Sequence, residues 1–183
     1  APHQQPGDLA RICRPIDWFG LNHYSPLYVQ AFDGNPLGVG FGPVPPEVPR
    51  TSIGWPVQPE AFRATLLAIH KRYGLPVYVL ENGTANADEI GPDGNVTDQS
   101  RIDFLNAYTT AMFEAMRAGA DVRGYFIWSL LDNFEWSSGY GPRFGITYVD
   151  YPTQRRIPKA SFHWYAGLIK DSKPAPAPDG GAG

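Results

Sequence analysis

Apolar residues gather along the chain in three short, nearly unbroken runs, at residues 16–21, 77–80 and 124–128. Runs of that length without polar alternation suit strands buried on both faces of a parallel sheet. Each is followed, after a loop, by apolar positions at helical spacing. Pro59 opens the first such stretch, Phe62, Leu66, Ile69 and Tyr73 share one face, and Gly74 ends it. In the second, Asp98 is the expected N-cap, Ile102, Leu105, Met112 and Met116 point inward, and Gly119 is the stop. Pro158 opens the third, with Phe162, Tyr165, Ala166 and Ile169 as its stripe. Strand, helix, strand, helix, strand, helix predicts an α/β fold with right-handed crossovers and a parallel sheet.

The loops are unequal. Residues 33–59 are dense in Gly and Pro and residues 82–97 are polar, and both leave the C-terminal end of a strand. The return through Gly74-Leu75-Pro76 is tight by contrast. Long loops on one face favour a working site at the strands' C-terminal ends. There the three runs finish in Asn22-His23-Tyr24, Glu81-Asn82-Gly83 and Trp128-Ser129. A carboxylate directly after four apolar residues is costly unless a neighbour bonds or pairs it. With the strands side by side, Tyr24 and Trp128 would flank Glu81, and a phenol donating to it would hold the carboxylate ionised and oriented, as a nucleophile requires. A Glu81 that merely caps its loop fits the local pattern as well. Residues 128–136 then add two indoles and two carboxylates within one loop. Carboxylates accept hydrogen bonds from paired sugar hydroxyls, and indole faces cover the C–H faces of a pyranose ring.

Composition narrows the alternatives. The 43% hydrophobic and 18% charged shares exclude a mostly disordered chain of these 183 residues. A net charge of -3 offers no basic field for nucleic acid or an anionic membrane. The lone cysteine, Cys13, allows no internal disulfide or zinc pattern and reads as a small core residue. No cofactor motif is present, residues 1–15 lack the apolar stretch of a secretory signal, and a cytoplasmic location is expected. Residues 1–173 read as one globular unit. Residues 174–183, Pro-Ala-Pro-Ala-Pro-Asp-Gly-Gly-Ala-Gly, read as a disordered tail.

Several of these blocks, taken in order, carry a resemblance. Glu81-Asn82-Gly83 after Val-Tyr-Val-Leu, the stretch from Gly124 to Trp136, Gly139-Tyr140, Arg143-Phe144-Gly145-Ile146, Val149-Asp150-Tyr151, Pro158-Lys159-Ala160-Ser161 and Trp164-Tyr165 resemble the family 1 glycoside hydrolases. That is the β-glucosidase group, built on a (β/α)8 TIM barrel. The resemblance implies the last three βα units of that barrel, with Leu21, Val79 and Ile127 on its inner face. It implies Glu81 as nucleophile, Tyr24 as its hydrogen-bond partner and Asn22 beside both. It also implies Glu135 on the sugar's O4 and O6, Trp136 on the O3 edge, Trp128 as the floor, Phe144 near C6 and Trp55 on the leaving-group side. Leu80 departs from the family's usual Thr, Ile or Val before the nucleophile. His23, His70, His163, Asp132 and Asn133 are expected to be structural.

The resemblance also shows what the chain lacks. No Asn-Glu-Pro motif occurs, so the family's acid/base glutamate has no counterpart, and Glu47, Glu60, Glu89 and Glu114 stand in unrelated contexts. Retaining hydrolysis needs two carboxyl groups about 5–5.5 Å apart. The expectation is a β-glucoside-hydrolysing enzyme whose acid lies in a missing N-terminal part, the isolated chain being inactive and docking with that part or with itself. The alternative is a catalytically incomplete piece that serves only as a sugar-binding or assembly half.

Overall fold

The computed structural model describes residues 3–172, so the tail of residues 174–183 lies outside the described residues. A short exposed helix, α1 (Asp8–Ile12), precedes strand β1 (Phe19–Asn22) and a hairpin of β2 (Val29–Ala31) and β3 (Val39–Phe41). Then come α2 (Pro59–Tyr73), β4 (Val77–Asn82), α3 (Gln99–Arg117) and β5 (Val122–Ile127). A second hairpin, β6 (Thr147–Asp150) with β7 (Arg155–Pro158), leads into α4 (Ala160–Asp171). β1, β4 and β5 form a parallel sheet in the order β1-β4-β5, and no closed barrel exists among the described residues.

Helices α2 and α3 cover one face of this sheet. Phe62, Leu66, Phe104, Leu105, Tyr108, Met112 and Ala115 meet Val77, Val79 and Val122 in a single buried cluster. Each such large side chain contributes about 1.5–3 kcal/mol when fully buried. Leu21 and Ile127 pack against the same cluster. Leu21, Val79 and Ile127 therefore face the helices, which corrects their assignment to a barrel interior. The opposite face carries Trp18, Leu80 and Phe126, which remain 46%, 40% and 54% exposed. Trp18 and Tyr78 meet edge to face there at 5.2 Å. In an evenly apolar run both faces look alike, so sequence could not tell which set met the helices.

Several boundaries moved. β1 starts at Phe19, and Ile16 stays exposed; β4 continues through Glu81 to Asn82; β5 starts two residues early and leaves Trp128 just outside. α2 ends as expected, with Gly74 in the left-handed conformation at φ 63°. Along α3 the buried face is carried by Phe104, Tyr108, Ala111 and Ala115 beside Leu105 and Met112, while Met116 is exposed. Asp98 occupies the N-cap position without capping, because its carboxylate is taken by Arg101 and Ser161. Pro158 closes β7 instead of opening α4, and Ala166 and Ile169 face outward while Trp164 packs on the core. Cys13 is exposed at the end of α1, not in a core. No helix among the described residues is long and apolar enough to cross a membrane.

Candidate functional site

The C-terminal ends of the three parallel strands are tied together by short polar bonds. Asn22 pairs with Glu81 across an irregularity in the β1–β4 register, and the His23 amide donates to the Glu81 carbonyl at 2.9 Å. This brings the Tyr24 hydroxyl to 2.6 Å from Glu81 Oε2. Burial above all, then the bond to Glu81 and the negative charges of Glu81 and Glu135, push the Tyr24 phenol far above its ordinary range. Tyr24 thus keeps its proton and is the donor of a short O–H···O bond to the Glu81 carboxyl group.

On the other side, Trp128 N donates to the Asn82 carbonyl at 2.9 Å as β5 ends. Gly83 lies so close to this strand that a Cβ there would stand 1.9 Å from the Trp128 carbonyl oxygen. Only glycine lets the two main chains approach this way. The loop after Trp128 is then knitted to the segment that follows it. Ser129 N donates to the Phe144 carbonyl, Ile146 N to that of Ser129, and Thr147 N to that of Leu130. Glu135 N donates to the Gly139 carbonyl at 2.7 Å, closing a turn in which Trp136 adopts φ 42°.

A cleft of about 720 Å³ opens above these strand ends. Asn22, Tyr24, Trp55, Glu81, Trp128, Glu135, Trp136 and Phe144 all line it, so the structure brings the eight residues singled out from sequence to one place. Tyr24, Trp55 and Phe144 contact one another with ring centroids 5.4–6.1 Å apart. Trp136 is almost fully exposed at the rim. Phe134, which the sequence reading did not single out, also lines the cleft, and so does Asn133, which fixes its loop through Ser129 and Leu131 as expected but faces the cleft as well. Among the described residues no group of His, Cys, Asp and Glu could hold a metal ion.

Behind the cleft lies an ionic cluster that sequence reasoning missed apart from Asp132. Asp132 accepts from Arg143 Nη1 at 2.6 Å, Lys159 Nζ at 2.9 Å, Gly145 N at 3.0 Å and Val149 N at 3.3 Å. Lys159 also reaches Asp88 at 2.5 Å, and Asp88 accepts from Arg101 at 2.7 Å. Arg101 pairs in turn with Asp98. Three carboxylates are gathered here with the buried Arg101 and Lys159 and the part-buried Arg143, whose guanidinium also lies over the rings of Tyr148 and Tyr151. Burial, then the neighbouring Arg101 charge, hold the Lys159 ammonium below its ordinary range against the pull of Asp88 and Asp132. The partners come from the loops after β4 and β5, from Arg101 in the first turn of α3 and from Lys159 between β7 and α4, so the cluster ties the loop bearing Glu135 to the rest of the molecule. His23 is packed against Phe62 and Tyr108, and burial holds its imidazole below the ordinary range. His163 is exposed.

Known proteins sharpen this picture. The sequence model of glycosyl hydrolase family 1 matches residues 1–174. Beta-glucosidase A of Thermotoga maritima is 43% identical over 172 residues, which cover 93% of this chain and 38% of that protein. A bifunctional beta-D-glucosidase/beta-D-fucosidase of Bifidobacterium breve is 44% identical over 181 residues, 90% of this chain and 39% of its own length. Among solved structures, the family 1 b-glucosidase from Thermotoga maritima superposes with a TM-score of 0.86 at 42% identity, over 92% of this chain and 38% of that one. The Thermotoga maritima beta-glucosidase in complex with noeuromycin gives 0.85 at 43% identity, over 92% and 38% of the two chains. The chain therefore spans less than two fifths of the length of the relatives it matches.

Proposed function

Since the chain belongs to glycosyl hydrolase family 1, we propose that it carries the nucleophile side of a retaining β-glucosidase-type site. β1, β4 and β5 are read as the sixth, seventh and eighth strands of the family's barrel. The Glu81 carboxylate attacks the anomeric carbon, forming a bond to it as the bond to the leaving oxygen breaks. A second carboxylic acid gives its proton to that oxygen. Water then adds its oxygen to the anomeric carbon, gives a proton to the same second carboxylate, and Glu81 is released. Glu135, the other carboxylate lining the cleft, accepts from the O4 and O6 hydroxyls, Trp136 faces the O3 edge and Trp128 lies beneath the ring. The second carboxyl comes from polypeptide equivalent to the part of the relatives that this chain does not span.

One observation carries the reading: the 2.6 Å bond from the Tyr24 hydroxyl to Glu81 inside a cleft lined by indoles. The uncovered Trp18, Leu80 and Phe126 support docking of further polypeptide on the free face of the sheet. The same open, aromatic cleft supports a second reading, in which the chain binds sugar without turning it over. The decisive experiment mixes this chain with the separately expressed part of the Thermotoga maritima enzyme that it does not span. The mixture is expected to hydrolyse 4-nitrophenyl β-glucoside while neither part does alone. In light scattering the chain alone is expected to run above its 20.2 kDa mass. A stable, inactive complex that still binds glucose would favour the second reading. Turnover by the monomeric chain would overturn the need for an outside acid.

A further inference from the structure

The Tyr24 phenol reaches Glu81 from a segment that the sheet does not hold. β1 ends at Asn22, and just beyond it His23 N donates to the Glu81 carbonyl. The next two carbonyls are taken by side chains from other elements. Asn82 Nδ2 donates to the His23 carbonyl at 2.7 Å, and the Tyr108 hydroxyl donates to the Tyr24 carbonyl at 3.2 Å. Both side chains are completely buried. Each is itself held fast. Asn82 Oδ1 accepts from the Tyr125 hydroxyl at 2.6 Å. The Tyr108 oxygen accepts from Gln58 N at 3.1 Å, and its ring stacks on Phe104 at 4.1 Å.

From this geometry we propose that Asn82 and Tyr108 are positioning residues that aim the Tyr24 hydroxyl at Glu81. The two carbonyls they hold belong to the consecutive peptides that flank the Tyr24 Cα, so together they fix the direction in which its side chain leaves. The tolerance is small. An O–H···O bond spans about 2.5–3.0 Å, so a hydroxyl displaced by about 1 Å loses it. Merely satisfying two buried carbonyls would stabilise the fold without regard to where the phenol points. The proposal deepens the reading of Glu81 as nucleophile, but its geometry can be tested whether or not Glu81 performs that role.

The test uses the whole chain labelled with ¹³Cζ-tyrosine, with the Tyr24 resonance assigned by its loss in Tyr24→Phe. The wild-type Tyr24 signal is expected to stay protonated through the range where free tyrosines ionise, about pH 10. Tyr108→Phe keeps the ring and removes the hydroxyl, and at neutral pH it should shift the Tyr24 ¹³Cζ resonance to the position of a tyrosine that has lost its carboxylate partner. Asn82→Ser should act in the same direction, and if that variant fails to fold, Tyr108→Phe alone decides. Ala111→Gly loosens the same helix by about 1 kcal/mol without touching either bond, and should leave Tyr24 where it was. A folded Tyr108→Phe protein with an unmoved Tyr24 resonance overturns the proposal. So does an Ala111→Gly protein that shifts it equally.

Discussion

Replacing Asp132 with alanine should be among the most damaging single changes available, even though Asp132 does not line the cleft. Its carboxylate accepts four bonds, two from the part-buried Arg143 and the buried Lys159 and two from the amides of Gly145 and Val149. Alanine leaves Lys159 with Asp88 as its remaining carboxylate and leaves two amides without partners. Removing one member of a buried ion pair costs about 3–5 kcal/mol, because the surviving charge stays desolvated. At about 2–4 °C per kcal/mol for a chain of this size, the melting temperature should fall by about 6–20 °C. Circular dichroism on melting or in urea reads this directly. The reasoning makes a second demand: adding Lys159→Met to Asp132→Ala should recover part of the loss, since the stranded cation is gone. A single variant within about 1 kcal/mol of wild type, or a double variant worse than the single, would refute it.

Three further outcomes are expected. In the mixture with the complementary Thermotoga part, Glu81→Gly should reduce aryl glucoside turnover to background, and azide or formate should restore part of it; undiminished activity would remove Glu81 from its role. The same mixture should prefer a glucoside to its 6-phosphate by at least about tenfold, because Glu135 opposes the phosphate, at about 1–4 kcal/mol per pair of charges 4 Å apart, and no lysine, arginine or histidine lines the cleft among the described residues; equal rates would show that the cleft is misread. Burial holds His23 below its ordinary range, so the unfolded chain takes up a proton that the folded chain resists. Stability should therefore be lost as pH falls from about 6.5 towards the folded midpoint, and His23→Gln should flatten that segment of a urea-midpoint profile; an identical slope in the variant would exclude His23 as the cause.

The sheet and its helices were legible because their residues repeat. Val77 and Val79 sit in an unbroken apolar run, and Phe62 and Leu66 recur at helical spacing, so each element announces its type locally. The site was legible for a related reason: a carboxylate at Glu81 and a phenol at Tyr24 interrupt runs that otherwise end in apolar residues. The β2–β3 hairpin left no such trace. All three residues of β2 are exposed, so no buried face imposes a period of two, and the turn is held by Asn35 bonding Leu37 N and the Val39 carbonyl. β6 does alternate in burial through Thr147 to Asp150, but over only four residues, too short a stretch for a period of two to stand out. The ionic cluster was out of reach, since Lys159 and Asp88 are 71 residues apart and nothing local links them. Trp18, Leu80 and Phe126 were unassignable for the reason that made the strands easy to find, because the run is apolar on both sides.

The contact between Gly83 and the Trp128 carbonyl bears on how such a site tolerates change over time. Here one main chain rests on another, with Trp128 N bonded to the Asn82 carbonyl at 2.9 Å alongside. The interval between the carboxylate-bearing strand and the indole-bearing one is thus written in bond lengths common to every protein. Substitutions in the layer beneath, or at Leu80 beside it, can alter volume and shape without entering that interval. A lineage carrying this arrangement is free to drift in its core while the carboxylate and the indole keep their distance. The freedom ends at one residue, for any side chain at Gly83 would pry the strands apart and no compensating change elsewhere could make room for it.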